Sequence, residues 1–267
     1  MILATGTSGT IGRHLSADVA PIQVDLSLPN SVAEIDFPLN STIVHLAGIV
    51  GPAQVLIDPN YAYKVNVLGS IRLAEKCLQS EGSRFIFIST SHVYMSSKER
   101  IREDFELDPG NIYAEQKLEA EIKLKDIFSS DYGRLCILRL FSILDWDVHE
   151  YTLGGIVKKI RSGNQNTPIV NSEDIRDFLT PRKAGRTISR IAKFGLSGTF
   201  NLCTGNGIKV GDAVRRMLAL DGIEINSEVM DKKNSKVPTL VGDPSKLQNH
   251  IEGLNLIWKP SIPPESK

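Results

Sequence analysis

A chain of 267 residues, 41% apolar and 23% charged, can bury a substantial core and is too apolar to stay disordered. Its 31 basic and 31 acidic side chains cancel, which removes the electrostatic reason to expect a nucleic-acid partner. No apolar run approaches the roughly 18 residues of a membrane span, and the opening MILATG turns glycine-rich too early for a signal peptide, so neither a membrane nor a secreted location is expected.

In chain order, Ile2–Thr5 reads as a strand, followed by a glycine turn and a short helix from Ile11 to about Asp18. Ile22–Asp25 and Thr42–Ala47 read as the next two strands. Tyr61–Gln79 carries Val65, Leu68, Ile71, Leu73 and Leu78 at spacings that suit a helix packed on a sheet. Arg84–Thr90 is a fourth strand, Ile112–Phe128 a charged amphipathic helix and Leu135–Phe141 a fifth strand. Strand and helix alternate, which predicts a doubly wound α/β fold with a parallel sheet. Beyond Phe141 the pattern weakens, with a helix at Arg186–Phe194, a strand at Gly198–Leu202 and a loose Pro-rich tail. The expected organisation is a dinucleotide-binding domain over 1–142 and a smaller, partly interleaved substrate-binding region over 143–267. Cys77, Cys136 and Cys203 are too widely spaced for a metal pair or a disulfide framework and read as buried thiols of a reducing cytoplasm. The five histidines show no ligand spacing, so no metal is expected.

Three segments carry chemistry. Residues 5–12, TGTSGTIG, set Gly6, Gly9 and Gly12 at three-residue intervals between a strand and a helix, which suits a tight turn against a pyrophosphate or a strand–helix turn with packing glycines. Asp25, 19 positions after Gly6, suits the adenosine ribose hydroxyls and so favours NAD, with NADP as the alternative. A turn or cap carboxylate is the other reading of Asp25. Tyr113 and Lys117 lie one helical turn apart, so the ammonium is expected to lower the phenol's pKa and make it a general acid/base, the other reading being a solvated pair on a surface helix. The strand RFIFIST ends in Ser89, Thr90 and Ser91 at the sheet edge where ligands bind, where a hydroxyl can hold a substrate oxygen or simply cap the strand.

With these motifs in hand, the sequence resembles the extended short-chain dehydrogenases/reductases, the NAD-dependent epimerase/dehydratase group. The matching pieces are TGTSGTIG (5–12), HLAG (45–48), KVNVLGS (64–70), STSHVY (89–94), YAEQK (113–117), LRLFS (138–142), RDF (176–178), FNLCTG (200–205) and DPSKL (243–247), in the family's order. The resemblance implies a Rossmann-type fold and Thr90, Tyr113 and Lys117 as the catalytic group. It implies that Gly6, Ser8, Gly9, Thr10, Ile11, Gly12, Leu46, Ala47, Gly48, Asn66 and Lys117 bind NAD. It places Ser91, His92, Ser142 and Arg176 on the substrate, a nucleotide sugar whose diphosphate Arg176 would hold, unless that arginine pairs with Asp174 or Asp177. The implied activity is epimerisation or keto reduction of that sugar by a cytoplasmic homodimer. Ser91-His92 stands where a dehydratase would carry an Asp-Glu pair, which disfavours dehydration, and His92 is a candidate extra acid/base. Ser142 and Thr180-Pro181-Arg182 depart from the family's usual residues. A reductase of a small non-sugar carbonyl and a non-catalytic dinucleotide-binding regulator are the other readings.

Overall fold

The computed structural model describes residues 1–146, 152–233, 235–236 and 238–260. The strands are β1 (Ile2–Thr5), β2 (Val19–Pro21), β3 (Thr42–His45), β4 (Arg84–Thr90), β5 (Leu135–Leu140), β6 (Ser142–Ile143), β7 (Ile175–Leu179), β8 (Gly198–Leu202), β9 (Gly207–Lys209) and β10 (Thr239–Leu240). The helices are α1 (Pro29–Ala33), α2 (Pro52–Val55), α3 (Pro59–Tyr63), α4 (Ser70–Gln79), α5 (Ile112–Ile127), α6 (Leu153–Arg161), α7 (Pro181–Phe194), α8 (Val210–Ala219) and α9 (Ser245–His250). Six strands form one parallel sheet in the order β2-β1-β3-β4-β5-β8, an α/β fold of Rossmann type. A second sheet, β10-β7-β6, carries β9 antiparallel to β7. Among the described residues no helix is long and apolar enough to cross a membrane. Part of the Pro-rich tail, 261–267, lies outside the described residues.

Parallel strands covered on both faces must be apolar on both. Side chains alternate along a strand, so β4 sends Phe85 and Phe87 to one face and Ile86 and Ile88 to the other. On the first face Phe85, Phe87, Leu135 and Ile137 pack with Leu73 and Cys77 of α4 and Ala120 and Leu124 of α5. On the second, Ile86, Cys136 and Leu138 pack with Ile188 and Ile191 of α7 and Leu247 of α9. A third core, around Trp146, Val157, Ile160, Phe178 and Met217, holds the second sheet to α6 and α8. Trp258 packs on it and its Nε1 donates to the Leu144 carbonyl at 3.0 Å.

Several elements differ from the sequence expectation. The helix after the glycine turn is only a 3-10 turn, Gly12–His14. Its place is taken by α7. Gly185 packs on the His14 backbone, where a Cβ would come within 2.8 Å. Ser189 Oγ accepts from the Ser16 N–H, and Ile11 and Leu15 pack on the α7 cluster. The second strand runs earlier, over Val19–Pro21, and Asp25 falls beyond it in a turn. The expected Tyr61–Gln79 helix is α3, a π-helical segment over Lys64–Gly69, and α4. Helix α7 begins earlier than expected because Thr180 caps it, its Oγ1 accepting from Lys183 N, and Pro181 fits the first helical position.

Among the described residues a nearly fully buried ion pair joins α5 to β5. Arg139 Nη2 lies 2.7 Å from Glu121 Oε2, and Arg139 Nε donates to both carboxylate oxygens. Truncating Glu121 strands the guanidinium in the interior. Glu121→Ala should therefore lower stability by about 3–5 kcal/mol, the usual cost of an uncompensated buried charge, in equilibrium urea unfolding.

Candidate active site

The C-terminal edge of the large sheet gathers three loops. The first is the glycine turn. Gly6 has φ +70°, and a Cβ there would lie 2.7 Å from Ala47 N. A Cβ on Gly12 would overlap the Gly6 carbonyl oxygen. The turn thus closes tightly on itself and against Leu46 and Ala47. Gly9 N donates to Gly6 O at 3.1 Å, whereas among the described residues no protein group accepts from the N–H of Ser8, Thr10 or Ile11. Those free donors, in a cradle a side chain would fill, fit a pyrophosphate. The second loop is Leu46–Gly48. A Cβ on Gly48 would lie 2.9 Å from Asn66 Oδ1. Asn66 Oδ1 accepts from Ile49 N, and its Nδ2 donates to Ile49 O and to Gln116 Oε1. The π-helical segment therefore holds this loop against α5.

The third loop follows β4. Thr90 is buried, and its Oγ1 accepts from His92 N at 3.2 Å, capping the turn Ser91–Val93. Among the described residues nothing accepts its hydroxyl proton, which stays available for a substrate oxygen. Across from it, Asn111 caps α5 by accepting from Ala114 N, and this fixes the start of the helix carrying Tyr113 and Lys117. The electrostatics correct one expectation. Burial pushes the Tyr113 phenol above its ordinary value, and Lys117 does not offset this. The Lys117 ammonium instead sits 3.9 Å over the Phe87 ring, and burial brings its own pKa down to about 7, with Glu121 opposing.

Among the residues expected to meet substrate, burial lowers His92 to about 4, with the neighbouring Arg176 acting in the same direction. Arg176 itself is committed. Its Nη2 bonds Asp174 Oδ2 at 2.8 Å and Ser235 Oγ at 3.2 Å, and its Nη1 donates to the carbonyls of Ile175 and Pro238. Asp177, the other acid of the RDF motif, accepts from Thr204 and Gly205 and so ties β7 to the end of β8. Ser142 lies on β6, paired with Phe178, and Ser91 is buried beside Thr90. Asp25 is exposed, and its Oδ1 accepts from Ser27 N and Oγ, a turn-forming arrangement. Among the described residues no three His, Cys, Asp or Glu side chains converge as metal ligands.

The sequence reading did not single out His45, Gln116 or Glu121. His45 ends an apolar strand and looks like core. Gln116 and Glu121 lie on a charged helix, yet both are buried, Glu121 fully. Their positions one residue before and one turn after Lys117 were the available signal.

A parallel sheet with a glycine turn after β1, a hydroxyl at the end of β4 and a Tyr–Lys pair on the next helix defines a dinucleotide-dependent enzyme of the short-chain dehydrogenase/reductase type. The chain belongs to the NAD dependent epimerase/dehydratase family, whose model matches residues 2–203. A GDP-6-deoxy-D-mannose reductase of Pseudomonas aeruginosa is 25% identical over 98% of this chain and 92% of its own. A UDP-glucose 4-epimerase of Halalkalibacterium halodurans is 24% identical over 83% of this chain and 72% of its own. Among solved structures, RMD from Pseudomonas aeruginosa in complex with NADPH superposes with a TM-score of 0.82, at 21% identity, over 97% of this chain and 93% of that one. Thermus thermophilus UDP-glucose 4-epimerase with NAD gives 0.77, also at 21% identity, over 93% and 92%.

His45 makes the site's pH dependence testable. Burial, aided by the Lys117 charge, holds its pKa down to about 3 against an ordinary 6.5. Between those values the unfolded chain binds a proton that the native chain refuses. The stability held by neutral His45 is thus complete above pH 6.5 and is lost as pH falls toward 3. Urea melts between neutral pH and about pH 4 should show this slope, and His45→Gln should reduce it, leaving the part contributed by buried His92.

Proposed function

We propose that the chain is an NAD(P)-dependent epimerase or ketoreductase of a nucleotide sugar, in which Thr90, Tyr113 and Lys117 handle the proton. The observation that carries this reading is the convergence of an unspent Thr90 hydroxyl, the Tyr113–Lys117 face of α5 and a glycine turn with free N–H donors at one sheet edge. The relatives that match along most of the chain support it, since a GDP-6-deoxy-D-mannose reductase and UDP-glucose 4-epimerases are among them. When bound, the dinucleotide supplies the hydride donor or acceptor. In the reductive direction the neutral Tyr113 phenol gives its proton to the carbonyl oxygen as hydride reaches the carbon; in the oxidative direction the phenolate so formed takes the proton back from the sugar hydroxyl as hydride leaves that carbon. Thr90 Oγ1 donates to that oxygen. Lys117, on the same face of α5, orients the nicotinamide ribose. His92 and Arg176 border the sugar side, where Arg176, already fixed by Asp174, offers a stationary cation to the diphosphate. Asp25 lies on the adenosine side and favours NAD. The commitment of Arg176 to Asp174 and Ser235 also favours a second reading, reduction of a small carbonyl that needs no diphosphate site.

Tyr113→Phe should lower turnover by about 10² or more, the scale of lost general acid/base catalysis, while dinucleotide binding measured by fluorescence titration is kept. Assay of the parent against a panel of nucleotide sugars and simple ketones, with NADH and NADPH, separates the two readings. Unchanged turnover in the variant would remove Tyr113 from the mechanism.

The same reading includes a homodimer. Of the apolar residues on α5, Leu118 and Leu124 pack inward, but Ile122 is exposed, as are Tyr61 on α3 and Leu56 and Ile57 beside α2. Tyr63 Oη donates to Glu119 at 2.6 Å and holds α3 against α5. These residues offer an apolar surface for a second copy. Light scattering at micromolar concentration should give twice the chain mass, and Ile122→Glu should halve it.

A further inference from the structure

Behind the proposed site runs a continuous chain of hydrogen bonds whose direction is fixed by its two ends. At one end Thr5 Oγ1, in the strand leading into the glycine turn, accepts from Ala47 N at 3.2 Å. At the other, Ser70 Oγ donates to the Asn66 carbonyl at 2.7 Å. His45 lies between them, 2.8 Å from Thr5 Oγ1 through Nδ1 and 2.9 Å from Ser70 Oγ through Nε2. A serine hydroxyl has one proton, and Ser70 gives it to a carbonyl that can only accept. Ser70 must therefore receive from His45, which puts the imidazole proton on Nε2. Nδ1 is then a lone pair and takes the Thr5 hydroxyl proton. Every donor and acceptor is satisfied by the neutral Nε2–H tautomer. The ring is 1% exposed, tilted against Phe85 and Phe87 at 5.9 Å, and Phe87 carries the Lys117 ammonium on its face, so a second positive charge has no place there.

We infer that His45 is a positioning residue that sets the glycine turn and the Asn66–Gln116 bridge beside Lys117 at a fixed separation, through a ring locked as the neutral Nε2–H tautomer. The path runs from Thr5 through His45 and Ser70 to Asn66, and from the Asn66 amide to Gln116, the residue before Lys117. The Thr5 bond governs where the turn meets a dinucleotide. The Ser70 bond governs where α5 holds its Tyr–Lys face. This rests on the dinucleotide reading of the glycine turn given above.

The two bonds can be separated by substitution. Asparagine places an acceptor near the Nδ1 position and keeps the Thr5 bond; glutamine places a donor near the Nε2 position and keeps the Ser70 bond. His45→Asn should keep dinucleotide affinity and lose about tenfold or more in kcat, since small displacements of catalytic groups are costly. His45→Gln should keep kcat and raise the dinucleotide Kd about fivefold, the worth of one neutral hydrogen bond. His45→Phe should lose both, with the sugar KM unchanged in all three. The tautomer is read independently from long-range ¹H–¹⁵N spectra of the folded parent at neutral pH, with the His45 signals assigned by their loss in the glutamine variant. An Nδ1–H or doubly protonated ring overturns the inference even if the variants fold poorly. So do three variants with the same kinetic profile, or a phenylalanine variant with parental constants. A folded parent that binds neither NAD(H) nor NADP(H) overturns the functional reading instead, whatever the tautomer.

Discussion

The Arg139–Glu121 ion pair is the point through which the separate parts of this fold are held in register. Glu121 lies one turn beyond Lys117 on α5, and Arg139 lies on β5. The carboxylate also receives the Ser89 hydroxyl from β4 at 2.5 Å. The guanidinium donates to the Glu103 carbonyl and lies under the Tyr94 ring, whose hydroxyl reaches Asn201 on β8. A helix, three strands and the segment after β4 thus converge on two opposite charges that are nearly excluded from water. Ion pairs of this kind add little net stability over a well-packed apolar substitute. What they do impose is geometry, because neither partner tolerates losing the other. Ser89 is adjacent to Thr90, and Glu121 one turn from Lys117, so the pair sets the distance between the two sides of the site.

Where the sequence was legible, short-range pattern and long-range packing agreed. Strands β1, β4 and β8 occur at the residues their apolar runs predict, and α5 begins at Ile112 behind its Asn111 cap. Thr90 ends β4, and Tyr113 and Lys117 lie on α5, where their local motifs put them. Other features depend on contacts the local sequence does not carry. The π-helical segment KVNVLG has the composition of an ordinary helix. Its surroundings fix the Asn66 amide to Ile49 and Gln116 and bring Gly69 close to Leu26. The second sheet is assembled from strands of five residues or fewer, drawn from distant parts of the chain, too short for periodicity to register. Lys117 was placed correctly on its helix, but its ammonium rests over Phe87, and no spacing rule reveals which of two neighbours a flexible side chain will choose.

The β2 edge of the sheet is economical. A single three-residue strand, β2, lies outside β1, where the common dinucleotide fold has two. Pro21 ends that strand and, lacking an N–H, discourages another strand from pairing at the open edge. With so short a segment between Gly12 and β2, there is no long helix to seal the lower face of the sheet, and α7 seals it instead.

That exchange of one helix for another affects the order in which the molecule can be assembled during synthesis. The Ser16–Ser189 bond spans 173 residues. At about 5–20 residues per second, a ribosome needs roughly 10–35 s to make the second partner after the first. Throughout that interval the nascent chain displays β1 and its glycine turn with Ile11 and Leu15 uncovered. A fragment ending before α7 would present the same apolar face permanently. The glycine turn, the earliest motif in the sequence, thus gains the helix that covers its face only after α7 has been made, whereas the core on the other face of the sheet is drawn from the first half of the chain.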